Sequence, residues 1–162
     1  MTSSDMSAGS GSSASGGTPA VVVGVSLTTG SPTALRWAME AARARHAPLR
    51  AVTAWRPPLA PPGPAPRPVA FPPILPTEIQ MRTEAALARA VRNAIGEDGC
   101  VTCTAVRGNT IAVLVAASSD AQLLVLGPLQ SGLADALLQP RRFIQILHRA
   151  ACPVVIMPID RA

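Results

Sequence analysis

Five short aliphatic runs, set apart by helix-length intervals, constrain this chain more than anything else in it. They are Ala20–Val25, Leu49–Trp55, Val101–Val106, Gln122–Leu126 and Val154–Met157. Side chains alternate between the two faces of a strand, so a run that is apolar at successive positions has to be buried on both sides. Gly24 interrupts the first run only in side-chain size. The intervening segments read as helices. Ser31 is placed to cap a helix whose first residue is Pro32. There Leu35, Ala38, Met39, Ala42 and His46 share one face while Arg36, Glu40 and Arg43 share another, and the helix ends before Pro48. Thr77 with Gln80 has capping-box spacing and opens a helix running to about Ile95, closed by the segment from Gly96 to Gly99. Thr110–Ser118 and Arg141–Ala150 complete the set, with Pro140 in the first turn of the last helix. The order β-α-β-loop-α-β-α-β-α-β predicts a doubly wound α/β domain with a five-stranded parallel sheet.

The chain has 162 residues, which suits one core better than two. Residues 1–19 are rich in Ser and Gly, read as a flexible tail, and leave 20–158 as the domain and 159–162 as a short tail. Residues 57–76 hold ten of the seventeen prolines, with Arg67 as their only charge, and predict an extended loop inside the domain. That loop follows the second strand and so emerges at the same sheet end as any ligand cleft. A lid, a peptide that docks on a protein partner, and a tolerated surface insertion all fit it. The candidate membrane stretch, Thr110–Leu126, is broken by Ser118, Ser119, Asp120 and Gln122, and the N-terminus lacks a basic and an apolar signal region. The expectation is a cytoplasmic protein without a membrane role. Three cysteines fit a reducing compartment rather than a disulfide framework. The net charge of +5 comes from arginines alone, scattered along the chain without interleaved aromatics, which argues against specific nucleic-acid binding. Non-specific binding driven by those arginines would collapse with salt.

In a sheet of this kind ligands sit beyond the carboxyl ends of the strands, where strand order reverses. The residues there are Ser26, Leu27, Thr28 and Thr29 after the first strand, and Gly127, Pro128, Leu129, Gln130, Ser131 and Gly132 after the fourth. Neither segment is a GxGxxG turn or a P-loop. With these residues the chain resembles the universal stress protein family (universal stress protein A-like domain). The resemblance runs from Ala20 to Pro158 through the Val-Gly-Val start, Ala34-Leu35-Arg36-Trp37-Ala38, Leu49-Arg50-Ala51-Val52-Thr53-Ala54-Trp55, Leu124-Val125-Leu126-Gly127 and Ala151-Cys152-Pro153-Val154-Val155. Leu-Arg-Trp-Ala and Cys-Pro-Val-Val look particularly like actinobacterial members. The resemblance implies a Rossmann-like, adenine nucleotide alpha hydrolase-like fold with strand order 3-2-1-4-5.

Family members that bind ATP carry an Asp at the end of strand one and, after strand four, G-x-x-G, nine residues, then G-[ST]. Glycines let backbone amides approach phosphate, and the hydroxyl and helix N-terminus bind its oxygens. Here Ser26 stands at the Asp position, Gln130 at the second glycine, Pro140 at the third and Arg141 at the hydroxyl, with the register fixed by the ungapped spacing to Cys152-Pro153. Only Gly127 of the motif is kept, with Gly132 and Ser131 nearby. Pro140 removes an amide donor and adds bulk. The resemblance thus implies a degenerate site in which ATP in the family mode is disfavoured and no cofactor is required. Arg141 and Arg142 open the last helix. They either form a cationic replacement that grips phosphate or carboxylate, or pair with Asp135 or face water.

Other chemistry is poorly supported. Cys100 and Cys103 have CxxC spacing, but on a strand they point to opposite faces; Cys103 reads as core and Cys100 as a half-exposed thiol. Joining them with Cys152 in a metal site would span opposite sheet edges. His46 and His148 read as helix residues, and no GxSxG elbow is present, so no catalytic residue is assigned and an enzyme is not expected. The last run, Val154, Val155, Ile156 and Met157, is an uncharged sheet edge suited to pairing. Family resemblance implies a homodimer across it. The apolar Thr110–Ser118 helix adds a second candidate contact surface. The reading is a dimeric stress-response or regulatory module. The alternative is a binder of a nucleotide or other phosphorylated small molecule in the cleft between strands one and four, with or without slow ATP hydrolysis.

Overall fold

The computed structural model describes residues 18–29, 31–57, 75–97, 99–127 and 139–158. In chain order they form β1 (Ala20–Gly24), α1 (Pro32–Ala44), β2 (Leu49–Trp55), α2 (Pro76–Ile95), β3 (Val101–Arg107), α3 (Thr110–Ser118), β4 (Ala121–Leu126), α4 (Gln139–Arg149) and β5 (Val154–Ile156). All pairings are parallel and the strands stand in the order β3-β2-β1-β4-β5, as the sequence and the resemblance predict. The proline-rich segment 58–74, most of the two tails and the residues 128–138 lie outside the described residues.

The strand alternation divides the core in two. Val21 and Val23 of β1, with Leu123 and Val125 of β4, pack against Ala34, Leu35 and Ala38 of α1 and Leu87 and Val91 of α2. Val22, Leu124 and Leu126 point the other way, onto Val113 and Leu114 of α3 and Ile146 of α4. Val21, Val22 and Val23 are therefore fully buried on both faces of β1, which is why its sequence carries no polar alternation.

Local signals were overridden at four places. Ser31 precedes α1 but sits in the left-handed region (φ 46°, ψ 47°) and makes no side-chain cap; its Oγ instead accepts from Ser26 N at 3.3 Å. In α2 the N-cap is Leu75 with Pro76 in the first turn, so Thr77 already lies inside the helix and no capping box forms. Gln80 is drawn away by tertiary partners: its Oε1 accepts from Trp55 Nε1 (2.5 Å) and its Nε2 donates to Glu84 Oε1 (2.6 Å) and Ala105 O (2.7 Å). α1 ends at Ala44, leaving His46 beyond it, exposed and at φ 50°, rather than on the apolar face. Met157 falls outside β5, although its N–H still donates to Leu126 O at 2.9 Å.

Candidate functional site

β1 and β4 end in register at Gly24 and Leu126 while β2 runs on to Trp55, and a cleft of about 350 Å³ opens there. The β1–α1 loop (Ser26, Leu27, Thr28, Thr29) forms one wall, the start of α3 (Thr110, Ile111, Leu114) another, and Phe143 and Ile146 of α4 a third. The strand ends are pinned to one another. Val25 N donates to Val52 O at 2.9 Å, and the buried Thr53 hydroxyl donates to Val25 O at 2.9 Å. Gly24 belongs to this close packing, since a Cβ there would meet Leu114 at 3.0 Å and Leu126 at 3.1 Å.

Ser26 and Gly127 both line the cleft, as the sequence predicts. The structure gives Gly127 a second reason to be glycine. A Cβ at 127 would stand 2.8 Å from Ser31 Oγ and 3.2 Å from Ser31 Cβ, so the serine side chain closes that side of the glycine. Ser31 is itself buried, at 4% exposure. Gln130, Ser131 and Gly132 lie outside the described residues, as does the Arg142 side chain. Pro140 occupies the first turn of α4. Arg141 is exposed, and it is not among the described residues that line the cleft. No Asp, Glu, Lys or Arg occurs among those lining residues; the polar side chains they offer are the hydroxyls of Ser26, Thr28, Thr29, Ser31, Thr53 and Thr110. Sequence reasoning confined to the β1 and β4 loops missed the contributions of Thr53, Ala54, α3 and Phe143. The residues following β3 were the signal that could have found the start of α3, and the carboxyl end of β2 the signal for Thr53 and Ala54.

Elsewhere the titratable groups whose ionisation is shifted have structural explanations. Arg50 of β2 grips Asp120 with Nη1 on Oδ2 (3.0 Å) and Nη2 on Oδ1 (2.6 Å), and Nη2 also donates to Ala117 O (3.0 Å). That hydrogen bond holds the Asp120 carboxyl below its ordinary range. Cys103 and Cys152 are half-buried, and burial pushes both thiols up, away from the thiolate that redox chemistry needs. Among the described residues no three His, Cys, Asp or Glu side chains gather as metal ligands. None of the described helices is long and apolar enough to cross a membrane.

A doubly wound parallel sheet, with a cleft where the connection from β1 departs on one side and that from β4 on the other, defines a Rossmann-like class of α/β domain. Within that class the universal stress protein family model matches residues 18–158, and the chain belongs to this family. Solved structures agree on the fold. A universal stress protein in complex with cAMP is 20% identical, with 88% of this chain and 98% of that chain covered and a TM-score of 0.56. The universal stress protein from Archaeoglobus fulgidus in complex with dAMP is 19% identical, with 86% and 97% covered and a TM-score of 0.58. A family member from Burkholderia pseudomallei is 22% identical, with 86% and 96% covered and a TM-score of 0.51. No curated protein matches.

Proposed function

We propose that this protein is a cytoplasmic regulatory universal stress protein, a homodimer paired along β5, whose cleft does not take ATP in the manner of the ATP-binding family members. The observation that carries the reading is the junction of Gly127 and Ser31. The motif glycine that is kept here is packed against a buried serine, and by the family resemblance Pro140 falls at the position of the motif's third glycine. The uncharged lining of the described cleft supports the same view, because four phosphate charges need donors or a cation close by.

Dimerisation is supported by the edge position of β5 and by exposed apolar residues on the neighbouring helix, Ile144 at 51% and Leu147 at 48% exposure. Pro153 O and Met157 N both bond to β4, so the alternation along the strand turns the amides of Val154 and Ile156 toward the open edge. Ile156→Pro removes one outward donor without touching the β4 ladder. Sedimentation of the wild type at micromolar concentration is expected to give a dimer and Ile156→Pro a monomer. A wild type that sediments as a monomer removes the dimer from the proposal.

A second reading keeps a smaller nucleotide in the cleft. Its volume lies near the lower end of the range for small-molecule sites, about 300–1,000 Å³. Two structural neighbours were solved with cAMP and dAMP. Calorimetry with ATP, AMP and cyclic AMP separates the readings: the first expects no saturable ATP binding, and the second expects a saturable monophosphate signal weakened by Arg141→Ala.

A further inference from the structure

The arginines divide sharply once their partners are known. Arg50 and Arg82 are in ion pairs, and Arg36, Arg45 and Arg56 donate to backbone carbonyls. Arg107 lies over the Trp55 ring, 6.0 Å from its centre. Arg43, Arg89, Arg92, Arg141 and Arg149 have no hydrogen-bond or ion-pair partner among the described residues. Of these five, Arg89 lines a concavity, a groove of about 360 Å³ between the β1–α1 loop and α2.

The groove is built by helical spacing. Ala86, Ala90 and Ala94 recur every fourth residue on one face of α2, and their small side chains, half-buried, leave the space. Arg89 and Asn93 lie beside them on the same face and are exposed, so the polar groups stand at the rim. Thr28 and Thr29 face them from the loop with hydroxyls that have no protein partner among the described residues. No carboxylate is found among the described residues lining the groove. A further positive charge adjoins it. Arg36 Nε donates to Ala94 O at 3.1 Å, which leaves the terminal nitrogens of that guanidinium without a partner among the described residues. Donors of three kinds around an alanine floor, with cations and no acid, are the composition of a site for an anionic group.

We propose that this groove binds the carboxylate or phosphate group of a small anion, with Arg89 as the principal charge, Asn93, Thr28 and Thr29 as neutral donors and Arg36 as a flanking cation. The site is separate from the cleft, on the opposite side of the β1–α1 loop. Leu27, Thr28 and Thr29 nevertheless line both, so an anion that fixes this loop from one side alters the wall of the cleft on the other. Linkage then makes the effect reciprocal for any ligand of the cleft.

The test is a titration of the full-length, ¹⁵N-labelled protein with citrate, and separately with inorganic phosphate, at ionic strength held constant with sodium chloride. Saturable shifts are expected at the amides of Thr28, Thr29, Arg89 and Asn93. Arg89→Ala, an exposed helix-favouring substitution, is expected to weaken the apparent affinity about fivefold to tenfold, as loss of one charge-assisted hydrogen bond does. Arg149→Ala, which removes an equal charge elsewhere, should leave the affinity unchanged. Shifts that rise linearly without saturation, or an affinity equally reduced by both substitutions, would reduce the effect to general charge attraction and overturn the proposal. Shifts centred on Gly127 and weakened by Arg141→Ala would place the anion in the cleft and overturn it as well. The groove result does not depend on whether the cleft binds a nucleotide, so the two ideas fail separately.

Discussion

The contact between Gly127 and Ser31 makes a quantitative prediction. Gly127 has no left-handed backbone conformation to preserve, so Gly127→Ala tests packing alone. The new methyl would lie 2.8 Å from Ser31 Oγ and 3.2 Å from Ser31 Cβ, inside the separation of about 3.5 Å at which carbon contacts become favourable. Ser31 yields poorly, because it is 4% exposed and its Oγ holds Ser26 N. Overpacking of this kind costs about 1–3 kcal/mol. With a urea m-value of about 2 kcal/mol/M, the unfolding midpoint should fall by about 0.5–1.5 M. Ser31→Gly serves as the partner variant. It removes the clashing atoms and relieves a left-handed serine, worth about 1–2 kcal/mol, against the lost 3.3 Å bond and the extra freedom of an unfolded glycine. Its own effect should therefore be small, and the double variant should recover at least about 1 kcal/mol of the Gly127→Ala loss as a coupling energy. A midpoint unchanged in Gly127→Ala, or two strictly additive single effects, would refute the packing argument and return Gly127 to a role in ligand binding alone.

Two further predictions concern stability. Arg50 depresses the Asp120 carboxyl in the folded state, so the stabilisation is complete above the unfolded value and is lost as pH falls through the folded one. Asp120→Asn should cost no more than about 1 kcal/mol near neutrality, given the exposure of the pair. That gap should close as the wild-type carboxyl protonates in acid; urea denaturation as a function of pH measures it, and a gap that persists at low pH would disprove the linkage. Gln80→Leu leaves Trp55 Nε1 and Ala105 O without their partner and should cost about 1–3 kcal/mol. An unchanged thermal midpoint in that variant would show that the bridge between β2, α2 and β3 contributes nothing.

Much of the architecture could be read from the chain because burial on both faces leaves a one-dimensional trace. β1 and β4 are aliphatic at successive positions, and the helices between strands carry a period of their own. Caps were less legible, because a side chain near a helix start has competing partners. Ser31 has the right identity for a cap, yet a close approach to Gly127 and the Ser26 amide hold it elsewhere. Gln80 has capping-box spacing from Thr77, yet Trp55 and Ala105 claim both ends of its amide. The cleft was half legible. Ser26 and Gly127 follow strands and could be named, whereas Phe143, Ile111 and Thr53 reach the same space from three other elements.

The sequence by itself determined the layers and the parallel pairing of the sheet, because hydrophobic periodicity and right-handed crossovers leave few alternatives, while the strand order came from the family resemblance. It could not determine which arginine matters. Fourteen arginines are equivalent in composition; only the fold gives most of the described ones a carboxylate, a carbonyl or a ring. The fold also sets Arg89, without a partner among the described residues, beside a groove floored by alanine. Charge acts through distance and solvent, and both are properties of the folded arrangement rather than of the chain.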